Sequence, residues 1–260
     1  MTTVISPDDE LAALSEFALL GEDARAVGLF DCLPPVRRLA VPTPDGEVSA
    51  LRWGDAEPRM VLLHDAGQSA HSWNAAVLAT GLPALAVDLP GHSHSAWRTD
   101  GAYAPAGLAR TLAPVLGELA PEADLMVGIG LGARTVQAVA ADTPWPVRAL
   151  VLLDGTPGAD PGVAARTSFP SFADLLTVAR SSAPGCGCEE LRRTLLAAVR
   201  RLPDGSWTWR HDPAVGRPAG FSAALAAPTH PAVEVYDEAA ASDRAAPARG
   251  TVRVRTVSGA

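Results

Sequence analysis

Asp124-Leu125-Met126-Val127-Gly128-Ile129-Gly130-Leu131-Gly132-Ala133-Arg134-Thr135-Val136-Gln137-Ala138-Val139-Ala140-Ala141 changes character halfway along. Leu125 to Val127 is a short apolar run, with the length and bulk of a buried strand. From about Leu131 the residues are Ala-rich and suit a helix. Between the two lies Gly128-Ile129-Gly130-Leu131-Gly132, a strand-to-helix turn with glycine at alternate positions. The central position, Gly130, can take a left-handed backbone without steric cost.

The flanking chain repeats this strand-then-helix rhythm. Val36–Val41 and Glu47–Trp53 read as two strands about Pro42-Thr43-Pro44-Asp45-Gly46, and Asp-Gly between apolar runs is a strong hairpin signal. Arg59–Leu63, Ala84–Val87 and Val147–Leu153 are further buried strands, with helices expected over Ser72–Ala79 and Tyr103–Leu119. Such alternation predicts an α/β fold with a mostly parallel sheet and helices on both faces. In such sheets ligands bind at the carboxyl ends of the strands, where the loops at His64, Asp88, Gly128 and Asp154 all fall.

Composition narrows the function classes. The 260 residues are 48% hydrophobic, enough for one domain with a substantial core. A net charge of −8 argues against nucleic acid as a partner. No apolar run approaches a membrane span and no basic-then-apolar leader opens the chain, so a cytoplasmic location without membrane attachment is expected. Three cysteines, Cys32, Cys186 and Cys188, do not suggest a disulfide framework. Cys186-Gly187-Cys188 lacks a suitably spaced partner for a zinc set, so neither metal nor cofactor is expected.

Three stretches resemble the α/β-hydrolase family, whose best-known members are serine esterases and lipases. Gly128-x-Gly130-x-Gly132 is similar to the nucleophile elbow Gly-x-Ser-x-Gly, with Gly130 standing where the family carries serine. His64-Asp65-Ala66-Gly67 resembles its His-Gly-x-Gly turn, with Asp65 at the first glycine. Asp88-Leu89-Pro90-Gly91-His92-Ser93-His94-Ser95 resembles the Asp-x-Pro-Gly-His-Gly-x-Ser loop and is the most specific match. By position, the resemblance implies that the N–H groups of Ala66 and Leu131 form an oxyanion hole. A carboxylate at Asp65 would oppose a developing oxyanion if its side chain pointed inward.

The same resemblance shows what is absent. Triad catalysis needs a hydroxyl or thiol, a base within hydrogen-bond reach and an acid to orient it. The first is Gly130, and none of His64, His71, His92, His94, His211 and His230 matches the family's histidine beyond the last strand. Asp237 and Asp243 are the candidates for the acid after the next-to-last strand, and neither has the expected context. Asp154 is a candidate charge partner for a histidine, or a turn residue. His64, His92 and Asp65 are the other candidate acid–base groups, although the loop holding His92 is mainly structural in the family.

Three segments are expected. Residues 1–35 form an acidic N-terminal appendage, with seven acids against one arginine up to Asp31 and a capped helix over residues 7–20. Residues 36–157 and 219–260 form the core, and residues 158–218 form a helical cap, with helices at Phe172–Arg180 and Glu189–Arg201. The arginines of the cap read as a solvated helix face. Trp207-Thr208-Trp209-Arg210 either lines an apolar pocket or anchors the cap. Ala232–Tyr236 and Thr251–Val257 are the last strands. A tail lacking the family's closing helix would leave one sheet face poorly covered and lead to a homo-oligomer or to aggregation.

Three functions fit these motifs. The chain is a non-hydrolytic relative that binds a small apolar or carbonyl-bearing molecule, or another protein. Alternatively it is an enzyme of altered mechanism, of lyase, isomerase or cyclase type, using His64, His92 or Asp65. The third option is a truncated relative of an active carboxylic ester hydrolase. Fold alone does not choose among them.

Overall fold

A computed structural model describes residues 6–30, 32–142, 147–153, 168–182, 187–215, 232–237 and 252–257, with residues 181–182 and the last two segments described by backbone alone. The hairpin forms as expected: β1 (Val36–Thr43) pairs antiparallel with β2 (Gly46–Trp53), closing at Thr43 opposite Gly46. β3 (Met60–Leu63) and β4 (Ala84–Val87) are buried at every residue. β5 (Leu125–Ile129) and β6 (Ala149–Leu153) continue the sheet.

The eight-stranded sheet runs β1-β2-β4-β3-β5-β6-β10-β11, where β10 is Ala232–Asp237 and β11 is Val252–Val257. From β4 to β10 neighbouring strands are parallel, whereas β1, β2 and β11 are joined antiparallel. This is the mostly parallel α/β-hydrolase arrangement that the motifs implied.

Helices cover both faces. On one, α4 (Pro105–Leu119) buries Leu108, Leu112, Val115 and Leu116 beside α5 (Leu131–Asp142), which buries Val136 and Val139. On the other, a single 3₁₀ turn (Ala70–Trp73) and α3 (Asn74–Thr80) pack Trp73, Val77 and Leu78 against Leu51, Trp53 and Leu62. Burying such side chains contributes roughly 1.5–3 kcal/mol each, which is what holds the strand ends in register.

Two local expectations are corrected. The helix expected over residues 7–20 is two short helices, α1 (Pro7–Ala12) and α2 (Leu20–Ala26). The Ser6–Asp9 capping box starts α1, which fully buries no residue and, among the described residues, is held only by the packing of Leu11 and the Asp9–Arg201 ion pair, so it stays short. The chain then bends so that Glu16 meets Arg38 and His71. The helix expected to reach Arg201 ends earlier: α7 (Cys188–Ala198) gives way to β8 (Val199–Arg201). There the ladder to β9 (Trp207–Trp209) overrides helix propensity.

β8, β9 and β7 (Ser168–Phe169) make a small second sheet. With α6 (Phe172–Ser182) and α7 it encloses its own core of Phe169, Phe172, Leu175, Leu191, Leu195 and Trp207. Trp207 packs edge-on against Phe172, so this tryptophan anchors the unit. Arg193 binds Asp23 at 2.7 Å, and Asp23 also accepts from Asn74 at 2.9 Å, which joins the unit to α2 and the main sheet. A second tie runs from Asp212, whose N–H donates to Gly91 O and whose carboxylate accepts from Tyr103 at 2.6 Å. Gly91 has φ +84°, and a side chain there would strike the Tyr103 ring.

Candidate functional site

The carboxyl ends of β3, β4 and β5 bring the three motifs to one edge. β5 ends at Ile129, Gly130 takes φ +53° and α5 begins at Leu131, so the turn reverses the chain within one left-handed residue. Only glycine adopts this freely. The flanking glycines permit close packing: a side chain at Gly132 would overlap the β3 backbone at Leu63.

Asp65, two residues beyond the end of β3, points inward. Its Oδ1 accepts from the N–H of Ala66 and from the N–H of Leu131, each at 2.7 Å. The two donors singled out by their position in the motifs therefore converge on one oxygen, and that oxygen belongs to the chain itself. Leu131 opens α5, so the helix dipole adds to the attraction. The carboxylate also fills the space above Gly130, since a Cβ on Gly130 would overlap its Cγ and both oxygens. Gly130 and the inward Asp65 are thus one steric unit. Oδ2 has no hydrogen-bond partner among the described residues.

His64 is fully buried and spent on structure. Its Nε2 accepts from Leu89 N–H at 3.0 Å, so Nδ1 carries the proton and donates to the Asp65 carbonyl at 2.7 Å. Burial lowers its pKa, against the opposing field of Asp88. His92 lies edge-on to His64 and is also fully buried, with Nδ1 3.2 Å from Pro90 O. Burial and then the neighbouring His64 and His211 push it well below the ordinary histidine value. Its Nε2, like Nδ1 of His211, meets no hydrogen-bond partner among the described residues.

Asp88 closes the same edge as a buried anchor. Arg38 donates to it at 2.7 Å and Ala70 N–H at 2.7 Å, while His94 stands 3.8 Å away. Burial alone would raise its carboxyl, but His94, Arg38, His64 and the Ala70 N–H together hold it below the usual carboxylate range. Arg38 also binds Glu16, whose carboxyl is held at about 2 by His71 and Arg38 against its own partial burial. Asp154 and Asp243 lie outside the described residues, and Asp237 is placed only by backbone, at the end of β10.

Sequence reasoning missed the residues beside this edge. A cleft of about 670 Å³ opens between α1–α2 and the small sheet, with His71 and His94 on its core side. Arg200 and Arg210 also line it. Arg200 reads as helix in the sequence, so its alignment with Arg210 shows only once β8 and β9 are paired. A smaller cleft of about 200 Å³, lined by Gln68, Trp73, Ile129 and Leu153, lies beside the turn.

Comparison with known proteins agrees with this architecture. Residues 60–260 match the model of the Alpha/beta hydrolase family. Esterase Rv0045c of Mycobacterium tuberculosis is 46% identical over 219 residues, spanning 79% of this chain and 72% of that protein. A solved structure of this M. tuberculosis esterase superposes with a TM-score of 0.72 at 43% identity, covering 79% of this chain and 74% of the other. The hypothetical protein PA1622 of Pseudomonas aeruginosa shares the fold with a TM-score of 0.63 at 23% identity, covering 78% and 82% of the two chains. The chain belongs to the alpha/beta hydrolase family and is related to esterases.

Proposed function

We propose that this chain is a non-hydrolytic member of its family that binds a small molecule. The observation that carries the reading is the Asp65 carboxylate on the N–H groups of Ala66 and Leu131. An oxyanion hole works by offering unpaired donors to charge that develops in the transition state. Here the donors already hold a full negative charge, so a substrate carbonyl would have to displace it and then develop its own charge beside it. Gly130 supplies no nucleophile, and His64 has both ring nitrogens engaged. In this reading residues 158–218 act as a cap, 1–35 as an appendage to the core of 36–157 and 219–260, and the protein works in the cytoplasm without a cofactor.

A fluorophosphonate probe followed by intact-mass measurement tests this, together with hydrolysis of p-nitrophenyl butyrate. No adduct and no turnover above buffer are expected. Stoichiometric labelling of one residue with ester turnover would overturn the reading.

One feature favours a second reading, an acid–base enzyme using Asp65. Its Oδ1 is pinned while Oδ2 is left without a hydrogen bond among the described residues, which is the arrangement of an oriented base. Solvent-deuterium incorporation into cyclohexanone, abolished by Asp65→Asn, would favour it.

A further inference from the structure

We infer that the cleft between α1–α2 and the small sheet binds a small amphipathic anion, with Arg200 and Arg210 gripping its charged head. In the β8–β9 ladder Arg200 stands opposite Thr208 and Val199 opposite Trp209. Side chains two apart on a strand share a face, so Arg210, two residues after Thr208, lies diagonally across from Arg200 on the same side. Both line the cleft. Two like charges so placed repel unless an anion lies between them.

The protein does not supply that anion among the described residues. Arg193 is paired with Asp23, Arg201 with Asp9 and Arg38 with Glu16 and Asp88. No described carboxylate lies within 4.0 Å of Arg200 or Arg210. Of the carboxylates lining the cleft, Glu16 and Asp23 are already engaged by these partners, and only the exposed Glu190 makes no ion pair. Arg210 spends Nε on Val199 O at 2.6 Å, which fixes the guanidinium and leaves its outer N–H groups for a ligand. Partial burial and the fields of Arg200 and Arg38 push its pKa down, against the weaker opposing fields of Asp88 and Glu16.

Part of the remaining wall is apolar, beside polar groups such as His71, Asn74 and Thr194. Leu14, Leu19, Leu196 and Trp207 line the same space, and a volume near 670 Å³ suits a ligand of drug-like size. A carboxylate or phosphate head on a medium-length alkyl chain matches both halves. None of the residues of the Asp65 turn lines this cleft, so the inference does not depend on whether that turn is catalytically silent.

Isothermal titration of the full chain with sodium octanoate, octyl phosphate and octan-1-ol tests the assignment. One or both anions should bind, and octan-1-ol should bind at least about tenfold more weakly, because it carries no charge for the two guanidinium groups. The stronger of the two anions identifies a carboxylate or a phosphate head. The double variant Arg200→Gln/Arg210→Gln, with an unchanged melting curve as proof of folding, should lose about tenfold or more in anion affinity. Asp65→Asn should leave it unchanged, which separates this site from the hole. Absence of binding by both anions, equal binding of octan-1-ol, or undiminished affinity in the folded double variant would overturn the assignment. If the double variant does not fold, the single variant Arg200→Gln, at an exposed position, carries the same test.

Discussion

Two concavities at the carboxyl edge of the sheet handle negative charge in opposite ways. At the turn of Gly130, the donors of Ala66 and Leu131 are satisfied by the chain's own Asp65. In the larger cleft, Arg200 and Arg210 stand diagonally across the β8–β9 ladder with no described carboxylate within 4.0 Å of either. A family relative would be expected to keep the first empty for chemistry. In the reading proposed above, Asp65 closes that seat and the two arginines of the cleft offer a cationic one. Because fold does not fix function, side chains at these two places decide where an anion could be held.

The largest expected effect comes from the anchor that keeps both sites in place. Asp88→Ala removes the buried partner of Arg38 and of the Ala70 N–H, and should cost roughly 3–5 kcal/mol in urea unfolding. A loss under about 1 kcal/mol would show that the two regions are not held by this ion pair.

Next is the steric unit of the turn. Gly130→Ala forces a side chain into a left-handed backbone and into the Asp65 carboxylate, and should destabilise by about 1–3 kcal/mol. Adding Asp65→Gly should return part of that loss, with a coupling of roughly 1 kcal/mol or more in a double-mutant cycle. Strict additivity would mean that Asp65 does not occupy this space. By the same logic Gly130→Ser alone should show no esterase activity.

Acid should erode the fold in two stages. His64, His92 and His211 have pKa values lowered from 6.5 by burial, so the unfolded chain binds more protons once pH drops below that value. Stability is therefore complete above pH 6.5 and falls as pH drops towards the folded values. Asp88 and Glu16, whose folded values are depressed, add a further loss as pH falls below the ordinary carboxylate range. A midpoint urea concentration that stays flat from pH 7 to 5 would contradict the histidine assignment.

The smallest effect belongs to the open seat. Without added anion, Arg200→Gln should change stability by no more than about 0.5 kcal/mol, or raise it slightly by removing like-charge repulsion. A large loss would mean that Arg200 already has a partner.

Most of the fold was legible in the sequence because buried strands announce themselves. Met60–Leu63 and Ala84–Val87 are unbroken apolar runs, and the Asp45-Gly46 turn fixes the first hairpin. Backbone donors at Ala66 and Leu131 were also readable, since the turns that aim them have sequence signatures. The orientation of Asp65 was not, because a side-chain rotamer leaves no trace in a linear pattern. Nor was the Arg200–Arg210 face, because Val199–Arg201 becomes a strand only by pairing with Trp207–Trp209. Local propensity favours continuing the helix, and a tertiary ladder decides otherwise.

Everything at the turn follows from the chain's own carboxylate sitting on its two N–H groups. A high-resolution electron-density map of the protein in a buffer free of small carboxylates tests it directly. An Asp65 oxygen within hydrogen-bond distance of both Ala66 N and Leu131 N is the expected result. A map with Asp65 turned to solvent, and a water bound to those two nitrogens, would contradict it.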